Sequence, residues 1–208
     1  MAKVRAVGNP LALTVLAYLS RGPMHPYDLS RTLRENGDAR SVKFTHGSLY
    51  TVVRNLAQAG FIAAQGTSRE GQRPERTVYA LTEAGRSELN SWLRDLIAEP
   101  EYEYPQFVTA LSLLGALHPD DAVALLRRRL TRLREIQAET QSLNEATLAA
   151  GVHPLFQVEE DYRLALLDAE IGFVERLIDR INNPVDGWAP TWASFHSTHG
   201  TPDEGNPA

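Results

Sequence analysis

The sequence contains no cysteine, which excludes disulfide bonds, zinc sites built from thiolates and cysteine nucleophiles. Its first apolar segment, residues 11–19, is too short to span a membrane and is not followed by a signal-peptide cleavage pattern. The chain also lacks a phosphate-cradling glycine loop and the Gly-x-Ser-x-Gly pattern of a nucleophile elbow. We therefore expect a soluble, cytoplasmic protein that is not an enzyme, does not enter a membrane and needs no metal or cofactor.

The net charge of −5 conceals opposite signs in the two halves of the chain. Residues 1–91 contain twelve Lys/Arg and seven Asp/Glu, a net +5, whereas residues 92–208 contain nine and nineteen, a net −10. A basic N-terminal half favours a polyanion as partner and leaves the acidic half for another purpose. A chance imbalance would look the same, so charge alone does not identify a function.

Start and stop signals divide the first 60 residues into three short helices. Pro10 follows an asparagine cap and begins the first helix, and Pro26 begins the second. Gly37 ends the second helix, Thr45 caps the third, and Gly60 supplies the left-handed exit that often ends a helix.

A hairpin and a long helix are expected next. Residues 61–66 and 76–81 are apolar enough to pair as strands around the polar loop at 67–75, and residues 42–44 could add a short strand. Thr82 then caps a fourth helix that reaches about residue 98. Three helices, a hairpin and a long helix are the element order of a winged helix-turn-helix domain.

The second half predicts three further helices, at about 107–117, 119–149 and 154–182. The middle helix carries an apolar seam, and the last carries two apolar stripes that must both be covered. A chain of this size has few other segments that could cover the second stripe. We therefore expect a second copy of the chain to cover it. The expected dimer interface consists of Leu126, Leu130, Leu133, Tyr162, Leu166 and Phe173.

Three sequence blocks occur in a fixed order in the first half. Residues 22–29 read GPMHPYDL, residues 47–50 read GSLY, and GQRP at 71–74 is followed by LTEAGR at 81–86. Together these blocks resemble the PadR family of bacterial transcription regulators across residues 11–95.

The resemblance implies a mainly α-helical fold in which the wing hairpin supplies the only β structure. Residues 1–98 would form a winged helix-turn-helix DNA-binding domain, and residues 99–182 a helical dimerisation domain. Residues 183–208 are rich in Pro, Gly, Ser and Thr and are expected to form a flexible tail.

The third helix is expected to enter the major groove by its N-terminal end, since that groove admits one helix. The side chains expected to contact DNA are Tyr27, His46, Ser48, Tyr50 and Arg54, together with Arg69, Arg73 and Arg76 of the wing. The competing interpretation is that Tyr50 packs the domain and that the charged hairpin is only a solvated loop.

The resemblance also implies a dimeric repressor that binds a near-palindromic operator in double-stranded DNA. Relatives often hold an aromatic or amphipathic effector, and the candidate effector residues here are Trp92, Tyr102, Tyr104, Phe107 and Phe156. Each of these aromatics could instead be ordinary packing. The alternative function is a winged-helix protein-interaction module without specific DNA binding, with the acidic half as its working surface.

Overall fold

The computed structural model describes residues 5–68, 76–101 and 103–197. The chain forms two compact units, of which the first ends at residue 102 and the second begins at residue 103. Within the described ranges, no helix combines the length and the apolar character that crossing a bilayer requires.

The first unit has the element order expected of a winged helix-turn-helix domain. Its elements are α1 (Pro10–Leu19), α2 (Pro26–Glu35), a 3-10 turn (Asp38–Arg40), α3 (His46–Gln58), β1 (Ile62–Ser68), β2 (Arg76–Leu81) and α4 (Glu83–Ala98). The predicted helix starts are confirmed, because Asn9 caps α1, Thr45 caps α3 and Thr82 caps α4. Gly37 and Gly60 have the expected left-handed backbone, with φ of 76° and 74°.

The strand expected at residues 42–44 is wrong. Val42 and Phe44 pack against the hydrophobic core of the first unit as part of a loop. The edge of β2 is paired elsewhere in the chain, since Met24 and Tyr79 exchange two backbone hydrogen bonds of 3.0 Å. This bridge ties the loop before α2 to the wing.

The wing hairpin is antiparallel and slightly longer than predicted. Ile62 pairs with Leu81 and Ala64 with Tyr79, and the register shifts between Ala64 and Thr67. Gly66 lies inside this irregularity with φ of 86°, a conformation that glycine adopts without strain. Because the bulge absorbs the extra residue, β1 continues to Ser68 rather than ending at residue 66.

The core of the first unit fixes which face of α3 is exposed. Leu49, Val52, Val53 and Leu56 on one side of α3 are buried in this core, where α3 packs against α1, α2 and β1. Burial of a leucine or valine side chain contributes about 1.5–3 kcal/mol. The opposite face of α3 therefore points to solvent.

The second unit is a helical hairpin with additions at its base. Its elements are α5 (Gln106–Ser112), a 3-10 turn (Leu114–Ala116), α6 (Pro119–Ala149), a 3-10 turn (Pro154–Gln157), α7 (Val158–Asn182) and α8 (Ala189–Ser197). The prediction of α6 is confirmed at both ends. The helix expected at 107–117 is shorter, and the one expected from 154 begins with a 3-10 turn.

The seam of α6 faces α7 of the same chain. Leu126 and Leu133 are buried, and Leu130 packs beside them against a cluster that includes Val174 and Ile178. These three leucines, expected at a dimer interface, thus lie in the core of the helical hairpin. Ion pairs of 2.5 Å between Arg129 and Glu170 and of 2.6 Å between Arg134 and Glu175 flank the seam.

The other stripe of α7 has no cover within the described chain. We call it the outer stripe, and it consists of Tyr162, Leu166, Ala169 and Phe173, all exposed. Tyr162 is 66% exposed, Leu166 52% and Phe173 40%, which is unusual for aromatic and leucine side chains at helical spacing. The expected division of α7 into two apolar stripes is confirmed.

The segment expected to be a flexible tail contains a docked helix. Trp192 of α8 is 8% exposed in the core of the second unit, and its indole N–H donates to the carbonyl of Gly115 at 3.3 Å. The Pro, Gly, Ser and Thr residues of this segment concealed a helix that Trp192 and Ala189 anchor to the core of the second unit. Residues 198–208 lie outside the described chain.

Candidate nucleic-acid interface

The start of α3 is held by a reciprocal cap. The Ser48 amide donates to the Thr45 hydroxyl at 3.1 Å, and the Ser48 hydroxyl accepts from the Thr45 amide at 2.8 Å. The Ser48 hydroxyl also donates to the Thr45 carbonyl at 3.0 Å. Ser48, expected to contact DNA, therefore has a local structural task that the sequence pattern did not indicate.

Three of the expected DNA-contacting side chains share the exposed face of α3. His46, Tyr50 and Arg54 follow one another at four-residue spacing and all three are exposed. The rings of His46 and Tyr50 lie 4.6 Å apart with an angle of 50° between their planes. We call these three residues the reading face, and it offers hydrogen-bond donors, aromatic surface and one guanidinium.

The N-terminal end of α3 is open to an anion. Gly47 has no atom within 4 Å of the position a Cβ would take, so another molecule's backbone can approach it closely. Among the described residues no hydrogen bond is found for the amides of His46 and Gly47. Free amides at a helix start, together with the helix dipole, favour phosphate.

A cleft of about 460 Å³ adjoins the reading face, where α2, α3 and β2 meet. Its lining residues are His25, Pro26, Tyr50, Thr51, Val53, Arg54, Thr77 and Tyr79, and none of them is acidic. His25 and Thr51 were not singled out by the sequence analysis. His25 follows Met24, which the bridge to Tyr79 holds beside β2, and no local sequence pattern signals that bridge.

The expected phosphate contact Tyr27 lies at the start of α2, beside this cleft. Its side chain is 49% exposed, and its amide donates to Nδ1 of His25 at 3.0 Å. The imidazole of His25 thus caps α2 and fixes the backbone that carries Tyr27. Tyr27 follows Pro26, which lines the cleft, and its contact with DNA stays a prediction.

The wing arginines are described only in part. Arg69 and Arg73 lie outside the described residues. Arg76 begins β2, but its side chain also lies outside what the structure describes. Their contacts with phosphate stay predictions.

The five candidate effector residues differ in their surroundings. Trp92 is 6% exposed in the core of the first unit. Phe107 packs in the second unit under the guanidinium of Arg129, 3.5 Å from its ring centroid. Tyr104 and Phe156 are 86% and 58% exposed, and Tyr102 lies outside the described residues. Of the four described, Trp92 lines a groove of its own unit.

Comparison with known proteins finds a family match in the winged-helix region. Residues 15–91 match the family described as "Transcriptional regulator PadR-like family". The negative transcriptional regulator PadR of Bacillus subtilis (strain 168) is 28% identical over 138 residues, which cover 64% of this chain and 74% of that protein.

Two solved structures of Bacillus subtilis PadR have the same fold as this chain. The structure in complex with operator DNA has a TM-score of 0.69 and 20% sequence identity, covering 87% of this chain and all of that one. The structure in complex with p-coumaric acid has a TM-score of 0.69 and 21% identity, covering 86% and 100%. At such low identity the likeness establishes architecture.

Proposed function

We propose that this chain, whose residues 15–91 match the PadR-like family of transcriptional regulators, is a cytoplasmic, dimeric repressor of transcription. It acts by binding a near-palindromic operator rather than by catalysis. The observation that carries the proposal is the reading face of α3, exposed beside an open helix start and a cleft without acidic side chains.

In this proposal the N-terminal end of α3 lies in the major groove. Arg54 pairs with guanine or phosphate, while His46 and Tyr50 contact base edges or sugars. The open amides of α3 and the Tyr27 hydroxyl hold the flanking phosphates, which fixes the register of the helix on the duplex.

The outer stripe of α7 supplies the dimer contact in this proposal. Covering Leu166 and Phe173 with the same stripe of a second copy removes apolar surface from water on both chains. A two-fold axis then relates the two reading faces, so that each copy meets one half-site of the same duplex.

An effector completes the proposed cycle. The relative of known structure holds p-coumaric acid, which supports release of the operator by a small aromatic or amphipathic molecule. The ligand would need higher affinity for the released conformation than for the DNA-bound one.

An electrophoretic shift with the DNA upstream of its own coding sequence tests the proposal. Wild-type protein should retard this DNA more strongly than random DNA of equal length. Arg54→Ala should weaken the shift, whereas Arg94→Ala, at an exposed position on α4 outside the cleft, should not. Absence of any shift at low salt would favour the protein-interaction module instead.

A further inference from the structure

The loop between α2 and α3 is longer than the turn of a simple helix-turn-helix. We call residues 36–45 the α2–α3 loop, which has ten residues, whereas the motif usually joins its two helices by about 3–4. A 3-10 turn at Asp38–Arg40 occupies the middle of the loop, and Gly37 enters this turn with a φ of 76°. The extra length therefore has a defined conformation, which contacts with the rest of the first unit must hold.

Tyr18 of α1 braces the α2–α3 loop from below. The Tyr18 hydroxyl donates to the Asp38 carboxylate at 2.5 Å and accepts from the side-chain amide of Asn36 at 2.8 Å. The guanidinium of Arg21 lies 5.3 Å from the centroid of the Tyr18 ring. One phenol thus ties both the start of the loop and its 3-10 turn to α1.

Lys43 is the exposed residue between two apolar anchors of the loop. Val42 and Phe44, on either side of it, pack against the hydrophobic core of the first unit. The Lys43 side chain is exposed, and no ion pair or hydrogen bond to it is found within the described residues. An ammonium group on an anchored backbone is therefore available to an anion from another molecule.

The acidic side chains of this region are engaged by other partners. Asp38 accepts from Tyr18, and Glu35 at the end of α2 lies 3.8 Å from the guanidinium of Arg31. Neither carboxylate forms an ion pair with Lys43. The charge of Lys43 is therefore not compensated by its own loop.

Lys43 precedes the first residue of α3, His46, by three positions. Three residues of chain span at most about 11 Å, which brings the ammonium group near the phosphates that would flank the open start of α3. Duplex DNA carries one negative charge for about every 1.7 Å of its axis. A cation so close to a helix in the major groove meets the sugar-phosphate backbone.

We propose that the α2–α3 loop is a further DNA contact of this chain, in which Lys43 binds a backbone phosphate and Tyr18 is a positioning residue. This inference rests on the proposed function. A phosphate contact adds affinity without reading the sequence, and it fixes the register of α3 on the duplex. Tyr18 acts only through the loop, because its hydroxyl is bonded to Asp38 and Asn36.

Chemical labelling tests the contact directly, since Lys3 and Lys43 are the only lysines of the chain. The full protein is acetylated briefly with and without duplex DNA at low salt, and mass spectrometry of its peptides measures the rate at Lys43. Arg94→Lys adds a reference lysine at an exposed position on α4. Bound DNA should slow acetylation severalfold at Lys43 but not at the reference lysine. Equal rates at Lys43 with and without bound DNA would overturn the contact.

The salt dependence of binding tests the charge of the contact. Lys43→Gln should weaken binding to random and to upstream DNA by the same factor, about two- to fivefold at physiological salt. It should also reduce the slope of log K against log salt by about 0.9. Arg94→Gln is the matched control and should change neither quantity. A slope that is the same in Lys43→Gln as in the wild type would overturn the proposal.

A double-mutant cycle tests the positioning role of Tyr18. Tyr18→Phe removes the hydroxyl but keeps the ring, and it should weaken DNA binding in the wild type but not in Lys43→Gln. Fluorescence anisotropy measures binding under conditions where circular dichroism shows that all four proteins are folded. Equal losses in both backgrounds would remove Tyr18 from this role.

The outcomes separate the loop contact from the proposed function. Binding of DNA that is independent of Lys43 would contradict the loop contact alone. A folded protein that binds no DNA at low salt would contradict the proposed function and the loop contact together.

Discussion

Gly85 lies so close to Phe61 that a Cβ atom on Gly85 would stand 2.0 Å from the Phe61 carbonyl oxygen. The same carbonyl accepts a backbone hydrogen bond of 3.0 Å from Thr82, and the Thr82 hydroxyl accepts from the Gly85 amide at 3.0 Å. This contact joins the start of α4 to the start of the wing. It gives a physical reason for the Leu-Thr-x-x-Gly block.

We expect Gly85→Ala to destabilise the first unit by about 1–3 kcal/mol, since backbone must move to admit the methyl group. Gly22→Ala is the matched control, because no atom lies within 4 Å of its Cβ position. Thermal unfolding followed by circular dichroism measures both. Equal melting temperatures for the two variants would contradict the close packing at this junction.

The reciprocal cap of α3 predicts coupling between Thr45 and Ser48. Each single alanine variant should cost about 0.5–2 kcal/mol of stability. Thr45→Ala removes the acceptor of the Ser48 amide, and Ser48→Ala removes the acceptor of the Thr45 amide. The double variant should cost less than the sum, because losing either bond loosens the turn that holds the other. Urea unfolding of the four proteins measures the coupling, and strict additivity would show that the cap contributes no joint stabilisation.

Tyr18 predicts a loss of stability in alkali. Burial raises the pKa of Tyr18 above its usual value of 10.0, and the hydrogen bond that its hydroxyl donates to Asp38 acts in the same direction. The folded state therefore favours the neutral phenol. This contribution is complete below the unfolded pKa near 10 and is lost as the pH rises through the higher folded value.

Tyr18→Phe should accordingly remove part of the stability at neutral pH and flatten its decline above about pH 10. Denaturant unfolding at a series of pH values measures this, with Tyr104→Phe, at a side chain that is 86% exposed, as the control. If the free energy of unfolding declined as steeply with pH in Tyr18→Phe as in the wild type, other groups would be responsible for the loss of stability in alkali.

The outer stripe predicts the oligomeric state. Leu166→Glu places a charge where two stripes would meet and should convert a dimer into a chain of 23.1 kDa. Val185→Glu, at a site that is 92% exposed, should leave the mass unchanged. Light scattering after size exclusion reports both masses. A monomeric wild type, or a dimeric Leu166→Glu, would remove the stripe from the interface.

Features with local causes were predictable from the sequence. The caps at Asn9, Thr45 and Thr82 and the left-handed exits at Gly37 and Gly60 depend on a few neighbouring residues. The shared exposed face of His46, Tyr50 and Arg54 follows likewise from their four-residue spacing along α3.

Features that depend on distant partners were not predictable. The edge of β2 is paired by Met24, more than 50 residues away, so residues 42–44 form no strand. The apolar spacing of Leu126 and Leu133 in the sequence is the same whether α7 or a second chain covers them. Periodicity shows that a face is covered but does not identify the cover.

The direct test of the central claim is a hydroxyl-radical footprint of the full protein on the DNA upstream of its own coding sequence. A dimer that reads two half-sites should protect two patches on one face of the duplex, about 10–10.5 base pairs or a multiple apart. Arg54→Ala should weaken both patches together. A single patch, or no protection at low salt by a protein that is dimeric in solution, would contradict the account.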